Sequence, residues 1–471
     1  MSTTDNQPLY APREPIFPRR VKGFYRNLKW WVMAVTLGIY YITPWIRWDR
    51  GPSLPDQAVL LDMAHRRFYF FWIEIWPHEF YFVAGLLIMA GLGLFLFTSA
   101  LGRVWCGYTC PQTVWTDLFI LVERWIEGDR NARVRLWNAK WDFRKARLRI
   151  TKWTVWLLIS VATGGAWVFY FADAPTLAVS LATFSAPPIA WATIGVLTAT
   201  TFVFGGFMRE QVCNYMCPWP RIQGAMMDPE TLTVAYRDWR GEPRGKQRDP
   251  GTGDCIDCMA CVNVCPAGID IRDGQQMECI TCALCIDACD DVMERIGKPR
   301  GLIDYLALSD QEEEAKGKPP KAIWQHVFRL RTIIYTTLWA SIGIGLVFAL
   351  FVRADIDMTV AAVRNPTFVT LSDGSVRNIY DIRLLNKHGE DREFRMSLTS
   401  EDVLRIELEG TQRRVVTVPA NETYLQRVYV TARPQDPANS QDVVDFRFWV
   451  EDVESGERAF ADAVFNGRVP E

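Results

Sequence analysis

Histidine is scarce in this chain. Four occur, His65, His78, His326 and His388, and none lies inside an apolar stretch. A haem gripped in a membrane span by two histidines is thereby excluded. No Cys-x-x-Cys-His, no Walker loop and no Gly-x-Gly-x-x-Gly after a strand pattern is present, which removes c-type haem attachment and the common nucleotide cradles. Charge of either sign is also not in excess: 52 Lys and Arg face 54 Asp and Glu, a net of −2. Such a balance gives no electrostatic footprint for a nucleic-acid partner. Cysteine is absent after residue 289, so the C-terminal part carries no disulfide.

What is present is concentrated. Of the 12 cysteines, eight lie between residues 255 and 289 in two copies of Cys-x-x-Cys-x-x-Cys-x-x-x-Cys. This is the bacterial ferredoxin run for two 4Fe-4S clusters, in which three closely spaced thiolates wrap one cubane and the fourth comes from the other run. The expected sets are Cys255, Cys258, Cys261 and Cys289 on one cluster, and Cys279, Cys282, Cys285 and Cys265 on the other. Zinc also binds Cys-x-x-Cys pairs, but eight cysteines with Pro266 after the fourth exceed what zinc needs. The second run departs from the pattern at Asp290, where the proline is missing. Free thiols in these numbers imply a reducing compartment for this part of the chain.

A hydrophobic fraction of 49% and 20 tryptophans point to a membrane protein. Five charge-free apolar stretches occur, at 30–46, 80–100, 153–172, 189–207 and 333–352, against roughly 20 residues needed to cross the hydrocarbon core. The expected organisation is a tail over 1–29, four spans in two hairpins over 30–207 with a basic loop at 101–152, a ferredoxin-like insert over 208–332, a fifth span at 333–352, and an outward domain over 357–471. Lys and Arg near the span ends place the tail, the 101–152 loop and the insert in the cytoplasm, and the 47–79 loop and the C-terminal domain outside.

The second and fourth spans end on one repeated motif, Cys106-Gly-Tyr-Thr-Cys110-Pro and Cys213-Asn-Tyr-Met-Cys217-Pro. Cysteines four apart share a helix face, so two such pairs are expected to meet and present four thiols to one ion or electron carrier. Arg103 and Arg209 nearby would favour thiolate. The alternative is that these are small cysteines packed between helices.

Elsewhere the tail reads as disordered or lying along the membrane. Met63, His65, Glu74, His78 and Glu79 are potential metal ligands, although such residues are more often ordinary surface groups. Residues 113–126 form an amphipathic segment expected on the membrane surface, and the basic run 130–152 is expected to meet anionic headgroups. Residues 237–253 read as a linker, and 309–321 as a charged connector. Beyond the last span, period-two segments at 367–371, 377–385, 393–398, 414–418, 424–431, 445–450 and 458–464 predict an antiparallel immunoglobulin-like sandwich.

Taken together, the twin Cys-x-Tyr-x-Cys-Pro, the two ferredoxin runs and the sandwich after the fifth span resemble the CcoG family, also called FixG or RdxA, accessory proteins of cbb-type cytochrome c oxidase assembly. The resemblance implies a five-helix membrane protein of the bacterial inner membrane with two 4Fe-4S clusters. It further implies a cupric reductase that makes Cu(I) for the oxidase, with Cys106, Cys110, Cys213 and Cys217 binding copper or passing electrons to it. Oxidase assembly factors, or a copper transporter or chaperone, are the implied partners beside membrane lipid; the electron donor is not named. Similarity to the quinol-linked NapH and NosR electron-transfer proteins, and a non-enzymatic assembly scaffold, are the alternatives. The topology is checked by reporter fusions. Those after residues 140 and 300 are expected to read as cytoplasmic and those after 60 and 420 as external; an external signal at 300 refutes the arrangement.

Overall fold

The computed structural model describes residues 15–51, 54–246, 251–319, 321–353, 356–411 and 413–468. Two compact units partition the chain: Met1–Ile46 with Gln57–Leu346, and Arg47–Asp56 with Val347–Glu471.

In the first unit the apolar runs become helices. They begin with α1 (Phe24–Ile42), followed by a small antiparallel sheet of β1 (Val59–Asp62), β2 (Arg67–Phe70) and β3 (Ile73–Ile75). Next come α2 (Tyr81–Leu101), the short α3 (Val104–Tyr108), α4 (Pro111–Glu127), α5 (Arg130–Asn138), α6 (Phe143–Val168), α7 (Ala174–Ala182) and α8 (Pro188–Thr201). Proline opens α4 and α8 at their first position, where its missing N–H costs nothing. Beyond α8 the chain continues in π-helical turns, Phe202–Met208 and Val212–Met216. The helix α9 (Trp219–Met226) leads into the insert: β4 (Thr233–Tyr236), a turn α10 (Asp238–Gly241), α11 (Ala260–Val264), α12 (Leu284–Arg295) and β5 (Ile303–Leu306). Strands β4 and β5 pair antiparallel, closing the insert on itself. Two short helices, α13 (Leu308–Ala315) and α14 (Ile323–Val327), lead to α15 (Leu330–Val352).

Among the described residues three helices, Pro77–Leu101, Pro188–Met208 and Leu330–Val352, are long and apolar enough to cross a membrane. The expected stretches 30–46 and 153–172 do form helices, but each is compromised at its basic end. Helix α1 starts early enough to include Arg26 and Lys29, and α6 spends its first turns on Arg144, Lys145, Arg147, Arg149 and Lys152.

Several surface expectations are corrected. Residues 15–29 of the tail are tied down: Arg19 N–H donates to Asn263 O at 2.7 Å, and Arg20 N–H to Asp129 Oδ1 at 3.0 Å. Residues 1–14 lie outside the described set. Much of the apolar face of α4 packs within the protein, while Trp125 is exposed. Phe119 stacks on Trp156 of α6 with ring centres 5.2 Å apart, and Val114 and Val122 are buried. Part of the basic run 130–152 turns inward to neutralise acids on α4. Lys152 Nζ lies 2.9 Å from Glu127 and 3.3 Å from Glu123, Arg149 lies 3.2 Å from Glu127, and Arg133 pairs with Glu123. Buried carboxylates need such partners because desolvation of a lone charge is costly. The 237–253 stretch is bolted down by Arg237 to Glu314 and Arg240 to Asp254, so it is no free linker where described.

The second unit is the predicted sandwich. Its strands are β6 (Ile356–Ala362), β7 (Val369–Thr370), β8 (Val376–Asn386), β9 (Arg392–Ser400), β10 (Arg405–Leu408), β11 (Val415–Val418), β12 (Thr423–Ala432), β13 (Val443–Asp452) and β14 (Arg458–Asn466). One sheet runs β10-β12-β8-β6 with β7 on β8, and the other β11-β9-β13-β14. Tyr380, Phe394, Phe446, Phe448 and Phe465 fill the space between them, and Tyr380 Oη donates to Val464 O at 2.6 Å. Strands β6 and β10 were not foreseen. The first follows the last span directly and alternates only over its first residues, and the second is four residues long.

Glu123 supplies a stability test. Burial pushes its carboxyl up, but Arg209, Arg133 and Lys152 outweigh that and hold it at about 2. A depressed carboxylate contributes stability that is present above its ordinary value of 4.5 and is lost as pH falls toward 2. Glu123→Gln is expected to cost about 3–5 kcal/mol at neutral pH, because three cations lose their buried partner. Thermal unfolding of the solubilised protein at pH 7 and pH 3 should show a shallower acid loss in the variant; equal acid slopes refute the assignment.

Candidate iron–sulfur and thiol centre

Both ferredoxin runs fold the same way. Asp257 and Met259 in the first, and Thr281 and Ala283 in the second, hold positive φ of 54°, 55°, 54° and 59°. Non-glycine residues rarely adopt this conformation. Alternation of left- and right-handed residues makes backbone nests that receive anionic groups, iron–sulfur clusters among them. Each run then enters a helix, α11 or α12, that carries the third cysteine in its first turn.

The fold places the fourth cysteine of each run beside the other run. Cys289 has Cys261, Cys258 and Cys255 as electrostatic neighbours. Cys265 has Cys282 and Cys279, and a small cavity is lined by Cys265, Cys279, Cys282 and Cys285 together with Cys261. Burial pushes the thiols up, Cys261 and Cys279 to about 11 and Cys265 and Cys289 to about 12. Eight cysteines in two facing sets, wrapped by nest-forming backbone, fit two cubanes, whose iron would hold these groups as thiolates despite their burial. Arg272 braces the first run, donating to Asp257 at 2.6 Å, to Asp270 at 2.6 Å and to Met259 Sδ at 2.8 Å.

Cys106, Cys110, Cys213 and Cys217 also converge, since Cys213 has the other three as electrostatic neighbours. The expected helical face is replaced by a wider turn in both copies: Cys110 N–H donates to Trp105 O at 3.0 Å and Cys217 N–H to Val212 O at 2.8 Å, five residues back each time. Arg103 does favour thiolate at Cys106 and Cys213, but burial outweighs it, pushing Cys106 up and Cys213 up to about 12. Arg103 also donates to Met277 O in the second run, and Arg209 pairs with Glu123 at 2.5 Å. Cys106 Sγ donates to Gln223 Oε1 at 3.1 Å. Among the described residues no group of three or more His, Cys, Asp and Glu is drawn up to hold a single metal ion.

The two centres touch. Cys106 packs in one cluster with Ile280, Cys282 and Leu284. Tyr108 Oη donates to Cys282 O at 3.2 Å, and a Cβ on Gly107 would lie 2.7 Å from Ile280 O and 3.0 Å from Cys282 Cα. The glycine in the motif therefore permits contact with the second run. In the counterpart repeat Tyr215 is exposed where Tyr108 is buried, and Cys213 and Asn214 line a small cavity with Glu278 and Ile280. Sequence reasoning singled out neither Gly107 nor Gln223, Arg272 or Tyr305; only Gly107, lying inside the repeated motif, carried a signal.

The outer-loop candidates are engaged separately except for one pair: His78 Nε2 lies 3.9 Å from Glu79 Oε1, while His65 pairs with Asp62 at 2.6 Å, Glu74 with Arg67 at 3.4 Å, Glu79 also accepts from Trp76 N–H at 3.1 Å, and Met63 is exposed.

Family models match three segments: a 4Fe-4S binding domain over residues 82–129, a 4Fe-4S dicluster domain over 208–308, and the Ig-like fold at the C-terminus of FixG over 346–468. Three relatives match along almost their whole length. Protein RdxB of Cereibacter sphaeroides is 67% identical over 99% of this chain and 98% of its own. Protein RdxA of the same organism is 64% identical over 98% and 99%. Nitrogen fixation protein FixG of Rhizobium meliloti is 54% identical over 98% and 94%.

Gly107→Ala tests the contact between the centres. The added methyl must displace backbone at Ile280 and Cys282, so iron is expected to be lost from the second set while the first keeps its signal. Iron content and paramagnetic resonance of the reduced protein measure this; full occupancy of both sets would show that the contact is not required.

Proposed function

Since the chain belongs to the FixG and RdxA family of iron–sulfur redox proteins, we propose that it is a membrane-bound cupric reductase supporting assembly of a cbb-type oxidase. The observation that carries this reading is the packing of the Cys106 motif against the second run, with Gly107 abutting Cys282 and Tyr108 Oη donating to Cys282 O, which sets a four-thiol centre beside a cluster ligand. Copper is the substrate: Cu(II) gains one electron and leaves as Cu(I), the state that soft thiolates favour. The ferredoxin cysteines would hold clusters that supply electrons one at a time. Cys106, Cys110, Cys213 and Cys217, which converge, would hold the ion while it is reduced. In this reading α1 and α6 complete five spans in the bacterial inner membrane, with the insert cytoplasmic and the sandwich periplasmic. A copper transporter or chaperone, or an oxidase assembly factor, receives the product.

A second reading is favoured by the match of a 4Fe-4S binding domain to residues 82–129, where Cys106 and Cys110 are the only cysteines. The four thiols would then hold a further cluster. Anaerobically purified protein separates the two. The copper reading expects about eight irons per chain. It also expects Cys106→Ser and Cys213→Ser each to abolish most Cu(II) reduction, with the double variant no worse, since ligands of one site are non-additive. About twelve irons, falling to about eight in either variant, would establish the further cluster instead. Wild-type reduction in all four Ser variants would remove the thiols from the reaction.

A further inference from the structure

A cavity of about 510 Å³ lies within the first unit, a size ordinary for small-molecule sites. One wall is apolar: Leu28 and Val32 of α1 and Leu101, the last residue of the apolar helix α2. The lining also includes Asp310 and His326. Asp310 is 3% exposed, and its Oδ1 is buried with no hydrogen-bond partner. Its Oδ2 lies 2.7 Å from His326 Nε2, and His326 Nδ1 lies 3.0 Å from Glu230 Oε2. Glu230 reaches solvent, with its side chain 36% exposed. A line of titratable groups thus runs from the cavity to water. The lining further includes Tyr108 and Tyr305, whose hydroxyls donate to Cys282 O at 3.2 Å and Thr281 O at 3.1 Å in the second ferredoxin run.

We propose that this cavity binds the headgroup of a membrane quinol, which is the electron donor. The inference rests on reading the chain as an electron-transfer protein and adds the substrate class at the input end. A hydroquinone is apolar enough to enter past Leu28 and Leu101, and its hydroxyl supplies the hydrogen bond that Asp310 Oδ1 lacks. A buried acceptor without a donor is costly, so a ligand that satisfies it binds selectively. The balance is QH2 → Q + 2 H⁺ + 2 e⁻. The two O–H bonds break in turn, each proton passing to Asp310 Oδ1 and leaving through His326 and Glu230. The two electrons pass by Tyr108 and Tyr305 to the clusters of the two cysteine sets, one to each. A nicotinamide dinucleotide fits poorly, because the cavity's cations are already engaged: Arg237 with Glu314 at 2.7 Å and Lys321 with Glu230 at 3.1 Å. Neither is free to receive a pyrophosphate.

The test uses the full-length protein, loaded with iron, in lipid nanodiscs. A photoreactive azido-ubiquinone is expected to label peptides around Leu28 or Leu101, and decylubiquinol should displace it. Asp310→Asn and Leu28→Trp should each cut labelling, and the rate of cluster reduction by decylubiquinol, at least tenfold with iron content unchanged. Leu28 is 39% exposed, so its variant keeps the test open if Asp310→Asn does not fold. Clusters reduced with dithionite and then freed of it by desalting bypass the cavity, and their reoxidation by Cu(II) reads the copper step alone. Absence of displaceable label from these peptides, or wild-type labelling in Leu28→Trp, overturns the quinol site, whereas reoxidation of pre-reduced clusters by Cu(II) would still stand. Displaceable label with no reoxidation of pre-reduced clusters by Cu(II) would sustain the site and refute the reductase.

Discussion

The first unit depends on one carboxylate. Asp287, on α12 between Cys285 and Cys289, accepts the N–H of Tyr25 at 3.2 Å and of Arg26 at 2.7 Å. It caps the first turn of α1 from another part of the chain, satisfying orphan donors at the positive end of the helix dipole. Caps of this kind contribute roughly 0.5–2 kcal/mol. The contact is close enough that a Cβ on Gly23 would fall 2.2 Å from Asp287 Cγ. One helix therefore carries a ligand for each cluster and fixes the start of α1, and the wall that Leu28 and Val32 give to the cavity follows from that fixture.

A second constraint is charge. Helix α4 carries Asp117, Glu123 and Glu127, all buried, and each is met by cations from elsewhere: Asp117 by Arg26 and Lys29, Glu123 by Arg133, Lys152 and Arg209, Glu127 by Arg149 and Lys152. Such pairs add little net stability over well-packed apolar residues, but removal of one member strands the rest. Their effect is to choose a packing. Helices α1, α5, α6 and the turn after α8 are each keyed to α4 by a complementary charge.

These same charges explain what was hard to read from sequence. A run of Arg and Lys looks alike whether it faces lipid or a buried acid, because the acids on α4 lie outside the run and pairing is set by the fold. The ferredoxin sets were legible because iron–sulfur chemistry imposes spacing on the chain itself, and the sandwich because alternation survives in its long strands. The cap at Asp287 left no pattern, being a single acid in a helix otherwise explained by its cysteines. The repeated Cys-x-Tyr-x-Cys-Pro was legible as a repeat, but not its asymmetry. Which tyrosine is buried depends on which copy meets Cys282.

The asymmetry has a consequence for electron flow. If both copies touched the second run equally, the thiol centre would have no preferred point of entry. Because Tyr108 is buried against that run while Tyr215 is exposed, the proposed electron path would reach the thiol centre through the Cys106 copy. Tyr108 lies at the junction, forming part of the cavity wall while its hydroxyl rests on Cys282 O. On the proposed reading, input and output would therefore share one cluster edge. A two-electron donor could be matched there to a one-electron acceptor because the first cysteine set, joined to the second through α12, would hold the other electron until a second copper ion arrived.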